Sequence, residues 1–77
     1  MNIDKVLNAK GLACPMPIVK TKKAIDGLQS GQILQVLTTD KGAKSYLTAW
    51  ATSTGHEILD TQEENGVLTF YIKKGEK

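Results

Sequence analysis

Hydrophobic and polar positions change period several times along this chain. Residues 3–8, Ile-Asp-Lys-Val-Leu-Asn, read as a short first strand that ends where Lys10-Gly11 marks a loop. From Pro15 to Leu28 the spacing becomes helical: at about 100° per residue Ile18, Thr21, Ala24, Ile25 and Leu28 gather on one side, which predicts the core face of a first helix. Gly27 weakens the end of that helix, and Ser30-Gly31 breaks it before Ile33-Leu34-Gln35-Val36-Leu37, a second strand. Strand, helix and strand in succession predict a parallel pair with a right-handed crossover.

A second helix is predicted over residues 42–54, capped by Asp40 or Thr39, with Ala43, Tyr46, Leu47, Trp50 and Ala51 on one face and Ser45, Thr48 and Thr52 opposite. Gly55 is placed to end it in a left-handed conformation. The period then falls to two. Ile58–Glu63 and Val67–Lys73 flank Glu64-Asn65-Gly66, and Asn-Gly is the strongest short hairpin signal because both central residues of a type I′ turn need positive φ.

The order β-α-β-α-β-β with only two helices predicts an α+β two-layer sandwich, a four-stranded mixed sheet with both helices on one face, formed by one domain over residues 1–77. Ile33 and Leu37 alternate with Leu34 and Val36, so one apolar pair is expected on the open sheet face, where it would allow weak self-association.

Composition narrows the class. A chain that is 40% hydrophobic and 23% charged has the make-up of a soluble globular domain, and no run is long enough to span a bilayer. The first residues lack the basic head and apolar stretch of a secretory signal, and a lone cysteine cannot form an internal disulfide, so a reducing cytoplasm is expected. A net charge of +2, carried by ten lysines and no arginine, argues against a dedicated nucleic-acid reader.

The cysteine lies in Gly11-Leu-Ala-Cys-Pro-Met-Pro17. A residue before proline is pushed into extended backbone, as a helix N-cap requires, and Pro15 and Pro17 fit the first turn, whose amides have no intrahelical acceptor. Cys14 is thus predicted at the threshold of the first helix, where the dipole favours a thiolate, and a persulfide likewise. Beside it, Met16, Val19, Lys20 and Lys23 point away from the core and form a stripe of two apolar and two cationic residues, a candidate docking surface. The plainer readings are a buried apolar cysteine and a solvated helix face.

A Cys14–His56 nucleophile pair is the enzymatic alternative, weaker than a structural role for His56 as a cation at a helix C-terminus. One cysteine and one histidine cannot fill a tetrahedral metal site, and Trp50 is expected to be packing.

Taken together these residues resemble the TusA/SirA-like family of small sulfur carriers. "LNAKGLACPMPIVKTKKAI" is similar to its Cys-Pro-x-Pro signature with the upstream glycine and leucine, "GQILQVLTTD" to its second strand, and "AWATSTGHEIL" to its second helix and Gly-His-Glu turn. The resemblance implies a fold like the C-terminal domain of translation initiation factor 3. It also implies a persulfide on Cys14 as the only prosthetic chemistry, with no separate cofactor. The implied partners are a cysteine desulfurase or rhodanese-like donor and a downstream acceptor cysteine, or a membrane permease in some relatives. The implied ends are tRNA thiolation, molybdenum cofactor biosynthesis or thiosulfate and sulfur metabolism. Several relatives carry an arginine in the first helix where this chain has Val19-Lys20-Thr21-Lys22-Lys23.

Three accounts therefore stand: a sulfur carrier using Cys14, with Gly11, Pro15 and Pro17 shaping its loop; a partner-binding or redox-regulatory module docking through the first helix; and a nucleic-acid binder, on fold analogy alone.

Overall fold

In a computed structural model the described residues are 2–12 and 16–75. They form β1 (Lys5–Ala9), α1 (Met16–Asp26), β2 (Ile33–Thr38), α2 (Ala43–Thr54), β3 (Glu57–Glu64) and β4 (Val67–Lys73). The sheet order is β1-β2-β4-β3, with β1 parallel to β2 and the other two ladders antiparallel. The helix connecting β1 to β2 requires the parallel pair, and the Asn65-Gly66 turn requires the antiparallel β3–β4 pair; both turn residues have positive φ, 52° and 79°.

One side of the sheet is covered by both helices. Alternation sends Leu34 and Val36 from β2, and Leu68, Phe70 and Ile72 from β4, against Ala24 and Ile25 of α1 and Ala43 and Leu47 of α2. Leu7, Ile18, Leu28, Tyr46, Trp50 and Ile58 close the margins of this core. Each of the fully buried large side chains contributes roughly 1.5–3 kcal/mol of transfer free energy. Thr21 is buried among them at no cost in unmet polarity, since its hydroxyl donates to the Pro17 carbonyl at 2.7 Å.

β1, β2 and β3 each extend a residue past the sequence reading at one or both ends, and three other boundaries differ because a side chain or a turn takes over from the regular pattern. β1 begins at Lys5, two residues late, because Asp4 Oδ2 accepts the Ile33 N–H at 2.8 Å, in place of a backbone ladder acceptor, while Asp4 N–H donates to the Ile33 carbonyl at 2.9 Å. α1 ends at Asp26, after which Gly27 and Leu28 tighten into bonds to the carbonyls three residues back, Ala24 and Ile25. The Lys74 ammonium then donates to the carbonyls of Asp26 and Leu28.

The expected cap of α2 is also displaced. Gly42 occupies the cap position without a side-chain bond, because the Ala43 N–H closes a turn onto the Asp40 carbonyl at 3.0 Å. Asp40 instead braces the turn from outside, its Oδ1 accepting from the Gly42 N–H at 3.0 Å and its Oδ2 from the Tyr46 hydroxyl at 3.1 Å. At the other end Gly55 is left-handed, φ 82°, as predicted.

A bulge interrupts β3. Ile58 faces Ile72 and Asp60 faces Tyr71, so Leu59 has no partner of its own on β4.

Candidate functional site

The predicted functional loop leaves β1 at the end of the sheet where Ala9 pairs with Thr38. Lys10 N–H donates to Asn8 Oδ1 at 3.1 Å, and Leu12 N–H to the Ala9 carbonyl at a long 3.4 Å, so the chain turns on itself there. Gly11 takes φ 81°, a conformation in which a β-carbon would meet no neighbour but would strain the backbone. Its N–H donates to Thr39 Oγ1 at 2.9 Å, across 28 residues of sequence. Thr39 sits on a short segment that is itself held, since the buried Thr38 hydroxyl accepts from the Asp40 N–H at 3.1 Å and Asp40 binds Gly42 and Tyr46. Loop and β2–α2 connection are therefore one hydrogen-bonded unit.

Cys14 and Pro15 lie outside the described residues. Pro17, one residue into α1, is fully buried and occupies the first turn, where its missing N–H is no loss. No acidic residue stands in the first turn of α1, so nothing on the helix itself offsets the positive end of its dipole.

Met16 and Val19 are 43% and 40% exposed, and Lys20 and Lys23 lie in solvent on the same outer side. Lys20 and Lys23 also line a shallow groove of about 250 Å³ between α1 and β1, with Lys5 across from them and Leu7 and Ala24 between. Lys5 is a cation the sequence reading did not assign to this surface. The signal was present, because strand alternation puts Lys5 on the pleat side of Leu7 and Ala9, facing α1 at the sheet edge. Thr39 was considered only as a cap; its bond to Gly11 depends on which strands are neighbours.

His56 is placed elsewhere. It precedes β3 at the end where Glu57, Lys73 and Ile33 are cross-strand neighbours, and the length of β2, roughly 17 Å, separates that end from the Gly11 loop. Its Nδ1 accepts the Gly75 N–H at 2.9 Å, and its ring lies tilted against Trp50 with centroids 5.2 Å apart. Burial and then the Lys74 charge lower its pKa from the ordinary 6.5, with Asp26 opposing. The expectation of a helix-terminal histidine cation is thereby corrected: the ring acts as a neutral acceptor, and Lys74 is the cation at the end of α1.

The tail is fixed at this end by further bonds, Gly31 N–H to the Lys74 carbonyl and Ser30 hydroxyl to the Gly75 carbonyl. A cleft of about 550 Å³ there is lined by Ser30, Gly31, Gly55, Glu57, Lys73, Lys74 and Gly75. Among the described residues no three of His, Cys, Asp and Glu gather to hold a metal. Nor is any described helix long and apolar enough to cross a membrane.

The chain matches the family model described as sulfurtransferase TusA over residues 5–74. It is 63% identical to YrkI of Bacillus subtilis, across 97% of this chain and all of that protein. To YrkF of the same organism it is 56% identical, spanning 40% of that longer chain. Sulfur carrier protein TusA of Allochromatium vinosum is 42% identical over 95% of this chain and 96% of its own. A crystal structure of a SirA-like protein from Desulfitobacterium hafniense superposes with a TM-score of 0.81 at 28% identity, covering 94% of this chain and 99% of that one.

Proposed function

This chain belongs to the TusA family, whose relatives are named sulfur carriers, and from that premise we propose that it carries sulfane sulfur as a persulfide on Cys14. The Cys14 thiolate attacks the outer sulfur of a donor persulfide; the donor S–S bond breaks, a new one forms at Cys14, and the donor leaves as its thiolate. An acceptor thiolate then attacks the outer sulfur of Cys14–S–SH and releases the Cys14 thiolate. No net electrons are gained or lost, so no cofactor is required.

The observation that carries the reading is the coincidence of the sole cysteine with the entry to α1. Pro15 and Pro17 follow it in sequence, the helix start lacks acidic residues, and the upstream Gly11 is locked to Thr39. Such a setting favours an anionic sulfur in both its thiolate and persulfide forms. Met16, Val19, Lys20 and Lys23, joined by Lys5, offer an apolar and cationic surface for a donor or acceptor with an acidic margin. The donor class is a cysteine desulfurase or a rhodanese-like enzyme acting in the cytoplasm. The acceptor is a protein cysteine in tRNA thiolation, cofactor assembly or thiosulfate metabolism, or one attached to a permease.

The test is mass spectrometry of the intact protein after incubation with a cysteine desulfurase and cysteine, and separately with a rhodanese and thiosulfate. A species one sulfur heavier, mapped to Cys14 and removed by reductant, is expected. Cys14→Ser should lose it while keeping the fold. A wild-type protein that no donor loads would overturn the reading.

A further inference from the structure

The two helices cover one side of the sheet and leave the other open. The register gives the open side row by row: Val6, Gln35, Tyr71 and Asp60; Asn8, Leu37, Thr69 and Gln62; Ile33, Lys73 and Glu57; and Val67 with Glu64. Its apolar members lie on β1, β2 and β4, and Val6 is 56% exposed. Its acids lie on β3. The Leu59 bulge decides this second fact, because an unbulged β3 would turn Asp60 and Glu64 to the helix side.

The dimensions select the kind of partner. Three neighbouring strands are two spacings across, roughly 10 Å, which is the diameter of an α-helix with its side chains. The acids Glu57, Asp60 and Glu64 extend over eight residues of β3, on the order of 20 Å and about four helical turns. Against these three carboxylates the described strand residues of the open side include one cation, Lys73, at its corner.

A second copy of the chain fits poorly. A two-fold axis along the strands would lay β3 over the partner copy's β1, which offers Val6 and Asn8; an axis across them would lay acid on acid. Either arrangement covers carboxylates without a counter-charge. The lysine stripe of α1 is on the opposite side of the molecule.

We propose that the open sheet face binds an amphipathic helix of a partner protein, seated over Val6, Leu37 and Tyr71, with lysines or arginines along the flank above β3. This surface is separate from the α1 stripe and does not depend on what Cys14 carries. It would give the molecule two docking faces of opposite charge.

The test is titration of the isotopically labelled full chain with an amphipathic helical peptide having a leucine face and a lysine flank, and with the same peptide carrying a glutamate flank. Saturable amide shifts at Val6, Gln35, Leu37, Thr69 and Tyr71 are expected with the lysine peptide. Glu57→Gln with Glu64→Gln should weaken binding roughly tenfold, two surface charge pairs being removed. Val6→Asp should abolish it, with an unchanged circular dichroism spectrum showing that each variant folds. Shifts confined to α1, equal affinity for both peptides, or no saturation with either would overturn the proposal. So would concentration-dependent self-association that shifts these same residues.

Discussion

Replacing Thr39 by valine removes one hydrogen-bond acceptor and leaves the side-chain shape nearly unchanged. The acceptor lost is the Oγ1 that holds Gly11 N–H at 2.9 Å; among the described residues it is the bond that ties the loop of residues 10–12 to another segment. An exchanged hydrogen bond of this kind is worth about 0.5–1.5 kcal/mol, and the exposure of both groups puts this one in the lower half of that range. At about 0.5–1 kcal/mol the ratio of locked to unlocked loop falls roughly two- to fivefold.

Thr39→Val is therefore expected to slow sulfur transfer from a persulfidated desulfurase to Cys14 measurably, by at most about that factor. The midpoint of the pH profile for Cys14 alkylation should rise by at most roughly 0.4–0.7 of a pH unit. Thermal stability should change little, by no more than about 8 °C for a domain of this size. Thr39→Ser, which restores the acceptor, should recover rate and midpoint together. Wild-type transfer in the valine variant, or failure of serine to rescue, would refute a positioning role for Thr39.

Three other outcomes are expected. Because the folded state holds His56 below its ordinary pKa, the contribution of its neutral ring is complete above about pH 6.5 and is lost as pH falls from there through the folded value; melting temperature should decline over that window, and His56→Gln should flatten the decline. Gly75→Ala puts a methyl onto the Gly55 carbonyl and should displace the tail, lowering stability by about 1–3 kcal/mol and removing the Gly75 N–H bond to His56, as amide exchange would report. Lys20→Glu with Lys23→Glu should slow association with a sulfur donor by tenfold or more at low salt, in stopped-flow measurements, with the difference shrinking at high salt.

The elements were legible in the sequence wherever one face of an element meets the core. Thr21, Ala24 and Ile25 recur at helical spacing and Leu68, Phe70 and Ile72 at strand spacing because those side chains share one buried side. The β3–β4 turn was legible for a local reason, two positive φ values that Asn65-Gly66 adopts readily. What could not be read belongs to pairs far apart in sequence. Asp4 ends the β1 ladder only because Ile33 is its neighbour, and Thr39 reaches Gly11 only because β1 and β2 are parallel and in that register. The Leu59 bulge is likewise not located by the pattern: Ile58-Leu59-Asp60-Thr61 runs two apolar residues and then two polar ones, which breaks alternation without saying which residue goes unpaired. At the candidate site, Met16, Val19, Lys20 and Lys23 were recoverable as one outward stripe; for Lys5 alternation gave only the side of the sheet, that of Leu7 and Ala9, while its place beside Lys20 and Lys23 is set by packing of α1 on β1.

The sheet order β1-β2-β4-β3 places β4 at the centre of a three-strand antiparallel unit and leaves β1 with one ladder of five residue pairs. Native-state hydrogen exchange should follow that asymmetry, with β1 amides opening at lower free energy than those of β4, whose opening requires global unfolding. The segment that leads to Cys14 is attached to the strand that is cheapest to release. In the proposed relay one sulfur is fitted to a donor and then to a different acceptor, and an edge strand that opens at low free energy would yield to each in turn while the packed remainder of the molecule kept its shape.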